Sequence, residues 1–473
     1  MGGMDVVIMA AGKGTRMKSR IPKVLHALGG VALIEHVIKV SQALGARRQV
    51  VVVGHGSQQV QAALAQHPSL LFALQEPQLG TGHAVQTAAQ HLPLLTLAGC
   101  TLVLSGDVPL IGLPTLQDLV AASAGEHLTL LTLKMSNPKG YGRILRHPEE
   151  GHRVMGIVEE KDATPLERLI DEVYVGVMVI PNARLHRWLS ALKNNNAQEE
   201  YYLTDLVAMA VGEGLEVHTH ACADPTEVAG VNDPEQLAQL ERAYQGKVAQ
   251  RLMRAGVRLA DPARIDVRGE LEAGEDVEID VGCVFEGRVV LEAGVKIGAH
   301  CVISNAHLSA DVVVKPFTHI QGESVSALIT VGAASQLGPY ARLRAGTVLG
   351  AEVHIGNFVE IKNSTLGVGS KANHLAYVGD AQLGDRVNYG AGSITANYDG
   401  ANKHKTVIED DVHVGSNSVL VAPVTIAQGG TVGAGSVISK NTQAGALTLT
   451  RAKTISLAHW SRPQKKSTNK ASS

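Results

Sequence analysis

The stretch that decides the fold is "VGAASQLGPYARLRAGTVLGAEVHIGNFVEI", which runs from Val331 to Ile361. A branched aliphatic residue recurs in it at every sixth position: Val331, Leu337, Leu343, Leu349, Ile355 and Ile361. A period of six excludes an α-helix, which repeats every 3.6 residues. It is typical of a hexapeptide parallel β-helix, in which the aliphatic residue points inward and three flat faces complete one coil. The sequence therefore predicts a triangular prism of stacked coils.

The same period extends to both sides of this stretch, at Ile279, Phe285, Leu291, Ile297 and Ile303, and again at Ile408, Val414, Leu420, Ile426, Val432 and Ile438. The phase is lost across 306–330, 367–382 and 396–407. We interpret these interruptions as loops inserted into the solenoid, which often carry binding residues. A tolerated surface insertion is the alternative, but His, Tyr, Asn and Lys concentrate in the last two gaps. The last gap is long enough that we do not expect it to fold back easily on its own prism.

The first 230 residues follow a different pattern. Short apolar runs such as "DVVIMA" and "CTLVLSGD" alternate with segments of helical periodicity such as "ALIEHVIKVSQALG". This rhythm predicts a Rossmann-like α/β sheet, mostly parallel, whose ligand lies at the carboxyl ends of the strands. Helical spacing from Pro234 to Gly256 predicts a long helix between the two patterns. The expected domains are 1–231, a linker helix at 232–256, a β-helix at 257–450 and a tail at 451–473.

Composition sets limits on partners and location. The net charge of −2 gives no argument for nucleic acid or an anionic membrane as a partner. The four cysteines are too scattered for a zinc motif or a disulfide framework. The sequence has no signal-peptide pattern at its start and no apolar run of about 20 residues that would span a membrane. We therefore expect a cytoplasmic protein.

A glycine-rich turn, "MAAGKGTRM", follows the first apolar run. Gly12 and Gly14 let the backbone turn tightly and present N–H groups to an anion, and Lys13, Arg16 and Lys23 add positive charge. The string fits neither the dinucleotide-binding fingerprint nor a Walker A loop. The full pattern GxGTRM with a following Pro-Lys resembles the signature of sugar-nucleotide pyrophosphorylases. These enzymes join a nucleoside triphosphate to a sugar 1-phosphate and release pyrophosphate.

Such a reaction needs a metal ion. Asp107 comes directly after the apolar run "LVLSG", and Asn232 lies in "GVND" near the end of the α/β region. Oxygen ligands in small number suit Mg²⁺, which keeps several of its waters. A strand-end Asp is commonly a turn or cap residue, but its coupling to the glycine loop favours a metal ligand.

Nearly the whole chain, from residue 4 to about 463, resembles the bacterial bifunctional enzymes that combine N-acetylglucosamine-1-phosphate uridylyltransferase with glucosamine-1-phosphate N-acetyltransferase activity. The resemblance implies a left-handed β-helix, Mg²⁺, UTP and acetyl-CoA as co-substrates, and a homotrimer. It implies UDP-N-acetylglucosamine as product, a precursor of peptidoglycan and lipopolysaccharide. It assigns the nucleotide to Ala10, Ala11, Gly12, Gly14, Thr15, Arg16, Lys23, Gln75, Gly80 and Thr81, the metal to Asp107 and Asn232, and the sugar phosphate of this half to Gly142, Glu159, Tyr174, Thr204 and Asn232. Arg16 and Lys23 would stabilise the phosphates during catalysis.

Two positions of this half depart from the family pattern. Ser105 stands where the family usually has a Tyr before Gly-Asp, and Tyr174 stands where it has an Asn on the sugar. Tyr174 is bulkier than Asn and presents a hydroxyl in place of an amide. Sugar affinity or selectivity in this half is therefore expected to differ.

In the C-terminal half the resemblance makes His374, in "ANHLAYVGD", the base for acetyl transfer, with Glu360 orienting or stabilising its ring. The sugar phosphate is assigned to Arg344, Lys362, Tyr377 and Asn388. Asn397 and Tyr398 would support the amine and the developing oxyanion, and Ala396 replaces a frequent Cys beside them. The acetyl-CoA groove is assigned to Ala391, Asn397, Tyr398, Ser416, Ala434 and Arg451.

Three alternatives stay open beside the two-step enzyme. The β-helix could be a trimerisation scaffold for a nucleotidyltransferase, although a scaffold needs neither His374 nor Lys362. The chain could be a non-catalytic binding protein, against which Lys23, Asp107 and Asn232 argue. Finally, Tyr174 and Ser105 could have weakened the first half or redirected it to another sugar phosphate.

Overall fold

The computed structural model describes residues 3–92 and 98–463. The chain divides into two compact units. The N-terminal unit comprises Met1–Ala255, Asp261–Glu270 and Val284–Gly287, and the β-helix unit comprises Gly256–Ala260, Leu271–Cys283 and Arg288–Ser473. The last ten residues of the predicted tail lie outside the described residues.

The N-terminal unit is built on an α/β sheet. Its helices are α1 Leu33–Ala43, α2 Ser57–Ala63, α3 Thr81–Ala89, α4 Leu113–Ser123, α5 Asn182–Ala191, α6 Asp205–Gly212 and α7 Pro234–Arg254. Its strands are β1 Met4–Ala10, β2 Ala27–Leu28, β3 Val31–Ala32, β4 Arg48–Val53, β5 Leu70–Leu74, β6 Cys100–Ser105, β7 Thr129–Lys134, β8 Gly142–Arg146, β9 Val154–Val158, β10 Glu172–Pro181 and β11 His218–Ala221.

The main sheet has the order β11-β7-β10-β6-β1-β4-β5, with β8 paired to β10 and β9 to β8. The neighbours of β1, β4 and β5 are parallel, as predicted, and β1 lies between β4 and β6. Strand β10 runs antiparallel to both β6 and β7. The buried strands carry near-continuous Val, Ile and Leu because helices cover both faces of such a sheet.

Helix α7 confirms the long helix predicted from the apolar spacing. Asp233 caps it by accepting a hydrogen bond from the Gln236 N–H, and Pro234 occupies its first turn. Leu240 packs in a small core with Leu28 and Leu33 of the N-terminal unit. The helix therefore belongs to the N-terminal unit by its packing.

Most of the remaining strands are two to four residues long and pair in parallel, as the six-residue period predicts. They are β12 Arg258–Leu259, β13 Ile265–Ala273, β14 Glu278–Ile279, β15 Cys283–Leu291, β16 Lys296–Ile297, β17 Val302–Leu308, β18 Val313–Val314, β19 His319–Gln321, β20 Ile329–Val331, β21 Gln336–Leu337, β22 Arg342–Arg344, β23 Val348–Leu349, β24 His354–Asn357, β25 Glu360–Lys362, β26 Thr365–Leu366, β27 Lys371–His374, β28 Tyr377–Gly379, β29 Ala381–Leu383, β30 Asn388–Tyr389, β31 Ile394–Ala396, β32 Thr406–Ile408, β33 His413–Val414, β34 Val419–Val421, β35 Val424–Ile426, β36 Thr431–Val432, β37 Val437–Ile438 and β38 Leu447–Thr448.

These strands stack into a parallel β-helix with three faces. The first face is the sheet β12-β14-β16-β18-β21-β24-β27-β30-β33-β36-β38. The second face is β19-β22-β25-β28-β31-β34-β37, and the third is β20-β23-β26-β29-β32-β35. Strand β17 pairs with both β19 and β20 at the bend between these two faces. The repeating aliphatic residues fill the interior, where Leu343, Ile361 and Leu420 are fully buried.

The lengths of the coils correct one interpretation of the sequence. Paired residues lie 18 positions apart over 336–354 but 17 apart over 354–371. The steps of 23 over 313–336 and 25 over 388–413 are true insertions. The gap at 367–382 holds only regular strands. Its loss of phase comes from coils that are one residue shorter, so it is not an inserted loop.

Candidate active sites

The glycine loop begins directly after β1 and closes against Lys23. Gly14 has φ of +58°, a conformation that side chains disfavour. A Cβ at Gly14 would lie 2.8 Å from the Cβ of Lys23, which is closer than real contacts allow. The absence of a side chain at Gly14 therefore allows Lys23 to pack against the loop. Arg16 is exposed on the following turn, Thr15–Met17.

Lys23, Asp107 and Asn232 meet at one point at the edge of the sheet. The Lys23 Nζ forms an ion pair with Asp107 and donates a hydrogen bond to Asn232 Oδ1 at 3.2 Å. Both members of the ion pair are largely buried, with 15% of each side chain exposed. The Val231 N–H donates to the Asp107 carbonyl at 3.0 Å, which fixes Asn232 beside the strand end. Ser105 donates to Asp107 Oδ1 at 2.6 Å.

The oxygens of Asp107 and Asn232 fit a divalent cation. They already converge on a single positively charged group, the Lys23 ammonium. One carboxylate and one amide oxygen are a sparse set, as expected for a hard cation that keeps most of its waters. No group of three or more His, Cys, Asp and Glu side chains with metal-binding geometry occurs in residues 3–92 and 98–463.

A cavity of about 440 Å³ opens above this point. Eight residues predicted from the sequence line it: Ala10, Ala11, Gly12, Lys23, Gln75, Gly80, Thr81 and Asp107. The amide of Gln75 is held by a 2.9 Å hydrogen bond to the Gly80 carbonyl. Glu200 also lines the cavity and was missed from the sequence, where nothing distinguishes it from a surface acid.

Apart from Asn232, the residues predicted for the sugar phosphate of this half form a separate cluster. Tyr174 of β10 pairs with Gly142 of β8. The Thr204 hydroxyl donates to Glu159 Oε1 at 2.8 Å, and burial raises the pKa of Glu159. The Tyr174 hydroxyl is buried and has no hydrogen-bond partner in the described part of the chain. Burial, followed by the charge of Glu159, raises the pKa of Tyr174.

A buried arginine supports this cluster and was also missed. Arg143 is 1% exposed, pairs with Glu160 at 2.6 Å and donates to the Tyr141 carbonyl. It thus ties the turn before β8 to the segment that carries Glu159. Buried charges need such pairing, but an isolated Arg in a strand gives no sequence signal of it.

In the β-helix unit His374 ends β27 and is exposed. Its Nδ1 lies 3.2 Å from Asn357 Oδ1 on the neighbouring coil, and the two residues are paired in the sheet. The expected role of Glu360 in orienting His374 is not what this structure shows. Glu360 pairs instead with Arg344 at 2.9 Å and Arg342 at 3.6 Å, because it lies on the second face beside those arginines.

Positive charge gathers on the second face. The ammonium of Lys403 lies against Lys362 and lowers the pKa of Lys362, with further contributions from burial and from Arg344. Lys403 was not singled out in the sequence. It lies in a loop outside the six-residue repeat, so its position could not be predicted from the period. Such a concentration of cations fits an anionic group of the substrate.

The loop after β31 does contact its own prism, contrary to expectation. Asn397 Nδ2 lies 3.5 Å from the Tyr377 hydroxyl and donates to Asp380. The Lys405 ammonium donates to Gln382 at 3.0 Å. The hydroxyl of Tyr398 is turned back to the Gly400 carbonyl at 2.6 Å. The length of an insertion alone did not decide which surface it covers.

The residues predicted for the sugar phosphate of this unit do not meet in one chain. Arg344, Lys362 and Tyr377 lie on the second face, in β22, β25 and β28. Asn388 lies in β30 on the first face. In one chain Asn388 therefore lies on a different face from the other three residues.

Three residues predicted for acetyl-CoA binding lie above one another along the β-helix. Ala391, Ser416 and Ala434 occupy successive coils at the corner that follows the first face. The N–H after Ser416 donates to the Ala391 carbonyl at 2.7 Å, and the N–H after Ala434 donates to the Ser416 carbonyl at 2.8 Å. His374 occupies the same corner one coil before Ala391. Arg451 is exposed beyond the last strand.

Comparison with known proteins agrees with the division of the chain into an N-terminal unit and a β-helix unit. A profile of the MobA-like NTP transferase domain matches residues 6–196, and a profile of the GMPPB C-terminal domain matches residues 267–372. The bifunctional protein GlmU of Albidiferax ferrireducens is 59% identical over 470 residues, which cover 98% of this chain and 100% of that protein. GlmU of Methylibium petroleiphilum is 60% identical over 467 residues, with 98% and 100% covered. GlmU of Azoarcus sp. is 56% identical over 462 residues, again with 98% and 100% covered.

The fold and the matches define a nucleotidyltransferase joined to a parallel β-helix transferase. More particularly, the chain belongs to the GlmU family of bifunctional proteins. It is an enzyme with uridylyltransferase and acetyltransferase activities that serves the synthesis of UDP-N-acetylglucosamine. None of the helices in the described ranges is long and apolar enough to cross a membrane.

Proposed function

We propose that the N-terminal unit transfers uridylyl from UTP to N-acetylglucosamine 1-phosphate with Mg²⁺ bound by Asp107 and Asn232. The observation that carries this proposal is the convergence of their oxygens on the Lys23 ammonium. Mg²⁺ would neutralise phosphate charge at the α-phosphorus when it is bound. The sugar phosphate oxygen attacks that phosphorus, the bond to the pyrophosphate oxygen breaks, and pyrophosphate leaves. Lys23 and Arg16 stabilise the charge that develops.

The other residues predicted for this site position the two substrates. Gln75 with Gly80 and Thr81 contacts the uracil, and the loop from Ala10 to Gly14 contacts the phosphates. The sugar lies at Gly142, Glu159, Tyr174 and Thr204, with Asn232 on its phosphate side. Support for these roles is that Gln75, Gly80, Thr81 and residues 10–12 line the cavity. In the second group Thr204 donates to Glu159, and Tyr174 pairs with Gly142 in the sheet.

In the β-helix unit His374 acts as the general base for acetylation of glucosamine 1-phosphate. It takes the proton of the amine as the nitrogen attacks the thioester carbonyl, the carbon–sulfur bond breaks, and coenzyme A leaves as a thiol after protonation. Asn357 holds the imidazole ring by its contact with Nδ1. Asn397 and Tyr398 support the amine and the oxyanion. Glu360 acts indirectly, by holding Arg344.

The phosphate of glucosamine 1-phosphate binds to Arg344, Lys362 and Lys403, and Tyr377 and Asn388 contact the sugar. Acetyl-CoA lies along the corner at Ala391, Ser416 and Ala434, with Arg451 on an anionic group. Small side chains at that corner let a pantetheine arm approach the backbone.

The enzyme works as a homotrimer. Support comes from the separation of Asn388 from Lys362 on different faces, because a second chain must bring its own Asn388 or Lys362 to complete a pocket. The β-helix is left-handed, and the functional boundaries are 1–231, 232–256, 257–450 and 451–473. We propose that the enzyme acts in the cytoplasm, where UTP and acetyl-CoA are present.

A different acceptor sugar is the second candidate for the N-terminal unit. The observation in its favour is the buried Tyr174 hydroxyl near Glu159, which has no hydrogen-bond partner among residues 3–92 and 98–463. A bulkier residue there restricts the volume available to the sugar.

The test is a split assay on the purified full chain. One reaction contains glucosamine 1-phosphate and acetyl-CoA and is followed by free thiol. The other contains UTP, Mg²⁺ and N-acetylglucosamine 1-phosphate, glucose 1-phosphate or glucosamine 1-phosphate, and is followed by pyrophosphate. We expect His374→Ala to reduce only the first reaction by about 10²-fold or more, and Asp107→Ala or a chelator to abolish only the second. Pyrophosphate release with another sugar phosphate alone would establish the second candidate instead.

A further inference from the structure

The loop between β31 and β32 carries Lys403 to an electrostatically unfavourable place. The loop leaves the second face of the β-helix after Ala396 and enters the third face at Thr406. The Lys403 ammonium lies against Lys362 and lowers the pKa of Lys362. Two like charges at close range repel each other. Until an anion binds both lysines, their arrangement therefore needs a restraint within the loop.

The carboxylate of Asp399 supplies such a restraint. Its Oδ1 accepts hydrogen bonds from the N–H groups of Ala401 at 2.8 Å and Asn402 at 2.6 Å, and its Oδ2 lies 2.6 Å from Nε2 of His404. The Asn402 N–H, followed by the His404 ring, holds the pKa of Asp399 well below its ordinary value. The carboxylate is therefore charged at neutral pH. It contacts the residues directly before and directly after Lys403.

We propose that the Asp399–His404 pair, which we call the loop clasp, positions Lys403 for acetyl transfer by keeping it beside Lys362, where both receive the sugar phosphate. The inference rests on the proposed function, in which the two lysines bind that phosphate, and it deepens that function by naming what holds one of them. Because the clasp restrains the backbone on both sides of Lys403, the cations are arranged before the substrate arrives. Such an arrangement reduces the cost of ordering the site on binding.

The loop clasp acts on the phosphate side of the site, because the groups near the reacting atoms are held by other contacts. The side chain of Asn397 donates to Asp380 on the neighbouring coil. The Tyr398 hydroxyl donates to the Gly400 carbonyl at 2.6 Å. The N–H of His404 donates to the Asn397 carbonyl at 2.8 Å, a backbone contact that does not depend on the ring. Loss of the ring should therefore weaken binding of the sugar phosphate and leave the rate at saturation nearly unchanged.

The test measures acetyl transfer by the purified full chain over a range of glucosamine 1-phosphate concentrations, for His404→Ala, Lys403→Ala and the double variant. Inorganic phosphate, added as a competing anion, gives an inhibition constant for the phosphate position alone. His307→Ala is the matched control, because the His307 ring lies 2.7 Å from Glu292 and its side chain is 35% exposed, against 33% for His404. Uridylyl transfer and thermal unfolding are measured on the same samples.

We expect His404→Ala to raise the KM for glucosamine 1-phosphate and the inhibition constant of phosphate by about threefold to tenfold, with kcat within about twofold of the wild type. Lys403→Ala should raise both constants by about tenfold to a hundredfold, because it removes a charged partner of the phosphate. The double variant should be no weaker than Lys403→Ala, since the clasp acts through that lysine. His404→Gln keeps a donor for Asp399 and should recover most of the loss, and His307→Ala should behave as the wild type.

An unchanged KM in Lys403→Ala would overturn the proposed binding of phosphate by Lys403, and the loop clasp with it. A raised KM in Lys403→Ala beside an unchanged KM in His404→Ala would overturn the loop clasp and leave the proposed function standing. Additive losses in the double variant, or no recovery in His404→Gln, would also overturn the clasp. If His404→Ala fails to fold, Asp399→Asn, which lacks the charge that pairs with the ring, provides the same comparison.

Discussion

In the N-terminal unit, the loops after β1 and β6 and before α7 carry Lys23, Asp107 and Asn232 to one point. In the β-helix, Asn388 and Lys362 lie on different faces of the same prism. The difference follows from the folds. Parallel strands of an open sheet end at a common edge, where loops converge. A prism turns its three faces away from one another, so side chains on different faces of one prism do not converge as the loops of the sheet do.

The comparison implies that the two reactions respond differently to assembly. The first site is complete in a single chain, and its geometry depends on Lys23 packing against Gly14 and on the tie between Val231 and Asp107. In the proposed homotrimer the second takes residues from two chains. Mixing of variant chains separates these two cases.

The largest effect is expected from complementation between chains. Lys362→Ala and Asn388→Ala should each lower acetyl transfer by about tenfold to a hundredfold, through lost hydrogen bonds to the substrate. In the proposed homotrimer a site takes one residue from each of two chains, so each mixed trimer holds one intact site of three and should recover about a third of the wild-type rate. The measurement is thiol release after co-expression with two different affinity tags and tandem purification.

The control is the same experiment in the N-terminal unit. Lys23→Ala and Asp107→Ala chains, co-assembled, should show no recovery of uridylyl transfer, since no chain then holds both residues. Recovery there, or its absence in the β-helix unit, would contradict the difference between the two sites.

The sequence predicted the fold well where one physical rule applies along a whole segment. The structure confirms the β-helix that the six-residue aliphatic period predicts, and it confirms helix α7, which the apolar spacing predicts. The antiparallel direction of β10 was not predictable, because an apolar strand buried on both faces has the same composition in either direction. The phase shift at 367–382 was misread as a loop, since one missing residue and an insertion both break a period.

The site was predictable where a motif fixes backbone geometry and less so where partners come from adjacent coils. Gly14 and Lys23 lie together as the motif suggests. Asn357 was missed as the partner of His374, because the pair depends on a 17-residue coil that cannot be counted before the register is known. Glu360 was assigned to the histidine although its own neighbours on the second face are arginines.

An intermediate effect is expected from Glu159→Gln in the N-terminal unit. Burial raises the pKa of Glu159, so its contribution to folding is present below its unfolded pKa and is lost as pH rises through its folded pKa. Replacing the charge should therefore raise the melting temperature at neutral pH by a few degrees, and this gain should vanish in acid. Uridylyl transfer should fall by about tenfold through the KM of the sugar phosphate.

Differential scanning calorimetry from pH 4 to 8 and steady-state kinetics check this prediction, with acetyl transfer as the internal control. A melting temperature that is lower than the wild type at neutral pH would show that the ionised Glu159 is stabilising, contrary to its burial beside Thr204. Loss of acetyl transfer in the same variant would show that the two sites are not independent.

The smallest effect is expected from Tyr174→Phe, which removes a buried hydroxyl that has no partner in the described part of the chain. Such a hydroxyl costs about 1–3 kcal/mol of stability when it is unsatisfied. The free variant should therefore unfold at a slightly higher temperature than the wild type. If the sugar phosphate supplies the missing hydrogen bond, the KM for it should rise by about threefold to tenfold, while kcat stays nearly constant.

A ligand-binding hydroxyl is indicated if the variant gains stability and loses affinity for the sugar phosphate. Removal of a structural hydroxyl would lower the stability of the protein without a change in KM. The matched control is Tyr389→Phe in the β-helix, because Tyr389 is also buried and its hydroxyl donates to the Tyr377 carbonyl at 3.4 Å. Tyr389→Phe should lower the stability of its own unit and leave uridylyl transfer unchanged. If Tyr174→Phe behaves in the same way as this control, the Tyr174 hydroxyl has a structural role in the N-terminal core, and the sugar is selected by Glu159 and Thr204 alone.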